Sequence, residues 1–394
     1  MPRRSQQSSS LCGANVTSPG DQNVRYHVHI ERSNNNGTSL RTVLRQIRIQ
    51  TLDACGQLQA ARSNIARKHG VIVLMLHRII PDGQMHQCRS PRGMVLRESG
   101  FRALLQYLRA ETDIIAPTDL SHTRVRSERP QVLVTFDDGW ADNYEVAAPY
   151  LAAFNIKACF FVVTAYAGCS HPFWPEHVLW LRGLTQQTHR SDLWKSFLES
   201  FHARSNNRPR PEIVSGSEER VLSWLKQFSA AEILERVDEA LFRLDPTLDR
   251  IASDPYERLM TWEEMRSLAK QGHMLASHTC THPLLTHLGG RAVAEELRNS
   301  WLALNTKVWQ GTGSSAWISY PNGDVDSSVQ AAAQKAGYRY GFTTVPGVWP
   351  GRCESLSIPR VNIWDGSLLS SDGTFNENSL AHTLFWRPSH ATWH

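Results

Sequence analysis

The stretch Val132-Leu-Val-Thr-Phe-Asp-Asp-Gly-Trp140 decides how this chain is read. It is an apolar run of β-type residues that ends abruptly in two carboxylates and a glycine. Strand interiors reject Asp and Gly, so a strand is expected to stop at Phe136. Two carboxylates at the carboxyl end of a buried strand serve stability poorly and chemistry well. The plain alternative is a strand followed by an Asp-Gly turn, and only a partner site decides between them.

A partner stands at Ser277-His-Thr-Cys-Thr-His-Pro283, after a second strand-like run, Met274 to Ser277, entered through Gly272. His278 and His282 are four residues apart, close enough to share one cation. Pro283 biases His282 away from the α region, so a loop is expected. Both clusters end strands, where a barrel or open α/β sheet puts its site. One Asp and two His make three protein ligands and leave a position open, as in a catalytic zinc site.

Thr-Phe-Asp-Asp-Gly-Trp followed by His-Thr-x-x-His-Pro resembles the polysaccharide deacetylases, carbohydrate esterase family four, whose common unit is the NodB homology domain. The resemblance spans about residues 70 to 365 with one long insertion. It implies a distorted (β/α) barrel with a helical insertion. It also implies a metal-dependent hydrolase that removes N-acetyl groups from a glycan, with a metal-bound water as nucleophile. Carried across, Asp137 is the base, and Asp138, His278 and His282 hold a divalent cation. Zinc is the first choice, with cobalt, manganese, nickel or iron as alternatives. The backbone N–H of Asn322, in Tyr320-Pro-Asn-Gly323, is expected to help hold the oxyanion.

Two departures from the family pattern stand out. No late Leu-x-His supplies the acid, and the corresponding region reads Leu356-Ser-Ile-Pro-Arg-Val361. Some relatives take that histidine from the end of the first strand, which makes His77 the candidate. Ser319 stands where the third motif usually has the arginine that orients the base, and Arg360 is the residue able to reach that carboxylate from another direction. Trp364 is a weaker candidate, for stacking on a sugar ring. His273, His287, His171 and Cys280 are left out of the site.

Continuous apolar runs at 71–76, 132–136 and 157–163, with shorter ones at 315–320, 338–344 and 356–361, alternate with helical patterns. That alternation predicts a parallel sheet. Residues 170–258 break the rhythm and read as a helical insertion between two core strands. Residues 1–69 form a basic extension, with ten Lys and Arg against three Asp and Glu. Its first 38 residues have the composition of a disordered segment. Residues 39–68 read as a helix interrupted at Gly56, packed on the edge of the domain or lying on a membrane surface. The core domain is expected over 70–370 and a C-terminal tail over 371–394.

A hydrophobic fraction of 41% and a charged fraction of 20% are those of an ordinary globular protein. No stretch approaches the ~20 apolar residues of a membrane-spanning helix. Seven cysteines without a C-x-x-C spacing point to free thiols. With no secretory signal pattern, a cytoplasmic location is expected, with peripheral membrane contact through 39–68. An aromatic-interleaved basic patch is lacking, so nucleic acid is not the expected partner. The leading expectation is an N-deacetylase acting on a polysaccharide or glycolipid. Its alternatives are a catalytically silent sugar-binding protein on the same fold, or a related deformylase or amidohydrolase.

Overall fold

The computed structural model describes residues 40–122, 128–170, 173–201, 217–248, 257–310, 316–351, 353–370 and 374–391. The expectations for residues 1–38 and for His171 lie outside the described residues.

The strands are β1 (Val71–Leu76), β2 (Arg78–Ile80), β3 (Val95–Arg97), β4 (Asp113–Ile114), β5 (Gln131–Phe136), β6 (Cys159–Val162), β7 (Met274–Ser277), β8 (Trp317–Ser319), β9 (Tyr340–Phe342), β10 (Ser355–Ile358) and β11 (Val361–Asn362). The main sheet runs β10-β9-β8-β7-β6-β5-β1-β11, with β4 on β5, and its pairs are all parallel. β2 and β3 form a small separate parallel pair. Helices such as Glu98–Glu111, Trp262–Lys270 and Gly290–Leu304 link successive strands. This is the expected parallel α/β architecture.

Closure follows from connectivity. β10 and β11 occupy opposite ends of the hydrogen-bonded order, yet only Pro359 and Arg360 separate them in sequence. Three peptide steps span at most about 11 Å, so the two ends must lie side by side. The sheet therefore curls into a distorted barrel with an unpaired seam at Pro359-Arg360.

Strand alternation then sorts the side chains. Val71, Val73, Leu133, Phe161, Ala276, Trp317, Phe342 and Ile358 meet in one interior cluster. Their neighbours Ile72, Leu74, Val132, Val134, Phe160 and Leu275 face outward into the cluster that the helices cover. Phe161 and Phe342 pack with ring centroids 5.1 Å apart at the centre.

The outer cluster continues past residues 70 and 370. Ala61 and Ile65 of helix Gln57–Arg67 belong to it, as do Leu380, Leu384 and Phe385 near the C-terminus. The boundaries expected at those two points thus do not coincide with a break in packing. Gly56 separates the two N-terminal helices with φ of +70°, a left-handed turn suited to glycine. Between β6 and β7, helices Trp174–Gln187, Ser191–Glu199, Glu218–Leu225 and Ala230–Leu244 build a core of their own around Trp194, Phe197 and Phe201.

Truncating Phe161 to alanine removes a ring from the barrel centre. The expected cost is about 3–5 kcal/mol, to be read as a lowered midpoint in denaturant unfolding.

Candidate active and metal site

Inward parity fixes most of the site. Following the interior file past the strand ends, 71-73-75 leads to His77 and 133-135 to Asp137. In the same way 274-276 leads to His278, 317 to Ser319 and 358 to Arg360. Residues far apart in sequence therefore converge on one mouth of the barrel.

Asp137 is clamped. Arg360 donates from Nη1 to Oδ1 and from Nη2 to Oδ2, both at 2.7 Å, and the pair is buried. Ser319 Oγ also donates to Oδ2, at 3.1 Å, and itself accepts from Arg360 Nη2 at 2.8 Å. Arg360 is in turn oriented by donation from Nε to the Thr343 carbonyl. Burial alone would raise the Asp137 pKa, but the Arg360 charge overrides it and holds the carboxyl below its ordinary value, ionised. Arg360 thus reaches Asp137 from the seam, and Ser319, where the family pattern has an arginine, bonds to the same carboxylate.

Asp138 faces the other way. Its φ of +71° turns the chain out of the strand so that adjacent carboxylates serve different partners. Oδ2 accepts from Trp140 Nε1 at 3.1 Å. Oδ1 points at His278 Nε2 and His282 Nε2, at 3.4 and 3.5 Å. The three ligand atoms lie within 4.8 Å of one another. Two ligands each about 2.1 Å from a tetrahedral ion stand about 3.4 Å apart, so this gap has the size of a cation. Donor chemistry agrees: one carboxylate and two imidazoles.

The histidines are set for that task. His278 Nδ1 lies 2.7 Å from the Ser319 carbonyl, which fixes the proton there and leaves Nε2 free for a metal. The His278 pKa is opposed by burial but raised overall by Asp137 and Asp138. Burial, with the neighbouring His278, pushes His282 down to about 4, so it is neutral at pH 7. The loop between them is not helical: Thr279 and His282 have φ of +67° and +62°. Glu296 holds this strained loop, accepting from the backbone N–H groups of Cys280 and Thr281 at 2.9 Å and from Thr281 Oγ1.

His77 closes the mouth on the β1 side. Burial lowers its pKa most strongly, against the pull of Asp138 and Asp137, and its Nδ1 is buried without a partner. Asn322 sits in the turn after β8 with φ of +59°. Its side chain pairs with Asp324 and with Lys226 of the insertion, and its carbonyl accepts from Thr344. Trp364 lays its indole against Gly366, while Asp365 pairs with Arg97 at 2.9 Å. His273 faces outward beside Phe160, and His287 is exposed.

A buried charge network behind Asp138 has no counterpart in the sequence reading. Arg78 donates to Asp142 at 2.9 Å and to Glu257 and Ser90 at 3.0–3.1 Å. Its guanidinium lies 3.9 Å over the Trp140 ring, whose N–H holds Asp138. Asp142 also accepts from the Ile79 N–H, and Asn143 donates to the His77 carbonyl at 2.7 Å. The insertion reaches the same place. Phe173 packs edge-on against both Trp140 and His282, at 5.4 and 5.0 Å. A charged residue directly after a strand-end histidine was the one sequence signal for this layer. Glu257 and Glu296 carry no such signal.

Glu176 lies fully buried beside this network, with Oε2 lacking a partner. Burial and the Glu257 charge push its pKa up to about 8. The unfolded value is about 4.3, so between those two pH values only the folded chain holds this proton. Stability contributed by the neutral carboxyl is therefore present below about pH 4 and lost as pH rises toward 8. Glu176→Gln keeps the neutral shape at every pH. Its melting temperature should match that of the unaltered chain near pH 4 and exceed it at pH 8, where the stability difference is more than about 1 kcal/mol.

The sequence profile of the polysaccharide deacetylase family matches residues 124–191 and 234–341. Those segments contain Asp137, Asp138, His278, His282 and Ser319. A curated Bacillus subtilis (strain 168) protein, YxkH, named provisionally as a polysaccharide deacetylase, is 21% identical over 303 residues, 76% of each chain. Among solved structures, the Streptococcus pyogenes deacetylase PplD in complex with acetate is 17% identical, with a TM-score of 0.48, and covers 80% of this chain and 98% of its own. IcaB from Ammonifex degensii is also 17% identical, with a TM-score of 0.46, over 75% of this chain and 91% of its own. With the parallel barrel and the two motifs at its mouth, the profile match makes the polysaccharide deacetylases the family that this chain resembles.

Proposed function

We propose that this chain removes N-acetyl groups from an N-acetylated sugar of a polysaccharide or glycolipid, using a divalent cation held by Asp138, His278 and His282. The match to the polysaccharide deacetylase profile supports the coarser part, hydrolytic deacetylation of a glycan. The finer part is carried by one observation: two adjacent carboxylates have opposite surroundings. Asp137 is locked to Arg360 and Ser319, whereas Asp138 opens onto two imidazole nitrogens at metal-ligand spacing.

Zinc suits a set of two nitrogens and one oxygen with an open fourth position. A cation held there supplies a Lewis acid for the acetyl carbonyl and lowers the pKa of water. The protein groups do the rest. Asp137, ionised and fixed in direction by Arg360, takes the proton from the attacking water. Arg360 and Ser319 keep its lone pairs from wandering, which is positional work. The Asn322 N–H, in the turn after β8, helps hold the oxygen that gains charge as the carbonyl carbon becomes tetrahedral. The leaving nitrogen needs a proton before the C–N bond breaks. His77, neutral in its buried setting, relays it from Asp137 to that nitrogen, so the base is regenerated as the amine departs.

Acetate release from N-acetylglucosamine oligomers by the zinc-loaded full chain tests this reading. Asp137→Asn and His77→Ala should each lose about 10²–10⁴-fold in kcat/KM while retaining bound zinc. His278→Ala should lose zinc itself. Full activity in Asp137→Asn, or bound zinc with no acetate released from any N-acetylated glycan, would overturn the proposal.

A further inference from the structure

A cavity of about 460 Å³ that shares no lining residue with the candidate site lies where helix Leu40–Ala54 meets the C-terminal segment. Its lining is Leu44, Arg45, Arg48, Ile49, His382 and Arg387, with no carboxylate among them. Arg45 and Arg48 are three apart on one helix, so their side chains share a face. Arg45 is anchored by donating from Nη1 to the Gly366 carbonyl at 3.0 Å. Among the described residues, none of the three arginines forms an ion pair. His382 is 8% exposed and its Nδ1 has no partner. The mutual proximity of these groups is felt electrically: burial and then Arg387 lower the Arg45 pKa, and burial then Arg45, Arg387 and Arg48 push His382 down to about 4.

Three guanidiniums round one partly enclosed space repel each other, and no carboxylate among the described residues pairs with them. Fork-shaped donors of this kind match the oxygens of phosphate. Beside them the same helix exposes Val43, Leu44 and Ile47, at 39%, 55% and 53%. Large apolar side chains next to an uncompensated cationic cavity fit an amphiphilic ligand, charged at one end and greasy at the other. We propose that this cavity binds a phosphate group presented by an anionic lipid, with Arg45, Arg48, Arg387 and His382 on the headgroup and Val43, Leu44 and Ile47 in the acyl layer. Nothing in the deacetylation chemistry requires this site, and its failure would leave the proposed reaction untouched.

The test uses the zinc-loaded full chain and two probes: phosphatidylcholine vesicles with or without phosphatidic acid, read by sedimentation, and pyrophosphate in solution, read by calorimetry. Vesicle binding is expected only with phosphatidic acid. In Arg48→Gln/Arg387→Gln it should weaken about 25-fold, at about fivefold per arginine, with acetate release unchanged. The pair should also melt no lower than the unaltered chain in phosphate-free buffer, because repulsion is relieved. Leu44→Ser/Ile47→Ser should weaken vesicle binding and leave pyrophosphate binding intact. Equal vesicle binding by the arginine pair and the unaltered chain, or no binding of either probe, overturns the phosphate site. Pyrophosphate bound as tightly as vesicles, with no effect of the serine pair, overturns the lipid source.

Discussion

A pleated strand must alternate its side chains, and everything at this site depends on that constraint. Each strand of the barrel offers its interior to every second residue, and the interior file runs on past the strand end into the mouth. Val71 and His77, Leu133 and Asp137, Ala276 and His278, and Ile358 and Arg360 are members of the same four files. Apolar members pack the barrel; the polar member at the end of each file meets its partners without any loop having to be folded into place. Slipping one strand by a residue would send its catalytic group outward and a packing residue inward. Core and site are therefore specified by one pattern.

The exception to that pattern is equally informative. Asp138 is out of phase with its strand, and it reaches the histidines because the backbone turns through a left-handed conformation there. Thr279 and His282 do the same on the facing loop. Non-glycine residues in this region cost of order 1–3 kcal/mol each, which is offset here by a hydrogen bond that Trp140 donates and by others that Ser277 and Glu296 accept. Phase-correct residues clamp Asp137 and supply His278, while the phase-breaking Asp138 and His282 complete the cation gap.

Much of this was legible in the sequence because strand-end chemistry announces itself. An apolar run that stops at Asp-Asp-Gly, and another at His-Thr-x-x-His-Pro, marked both the barrel and its mouth. Arg360 was legible for a weaker reason, as the available arginine at a later strand end. The Arg78 network was not, because its partner Glu257 arrives from the far end of a long insertion and no spacing links them. Ser319 illustrates the same limit. A serine in place of an arginine read only as a departure from the family pattern, whereas its hydroxyl donates to Asp137 and its carbonyl fixes the tautomer of His278.

The seam at Pro359-Arg360 joins the two free edges of the sheet, and the same arginine bonds to Thr343 on one side of the barrel and to Asp137 on the other. In mechanical terms it is a clasp: the barrel is shut by the residue that holds Asp137. Arg360 lies in the last part of the barrel to be synthesised, so a nascent chain can carry Asp138, His278 and His282 and still leave Asp137 unclamped. Under the proposed reaction, the base is set in direction only once the barrel closes.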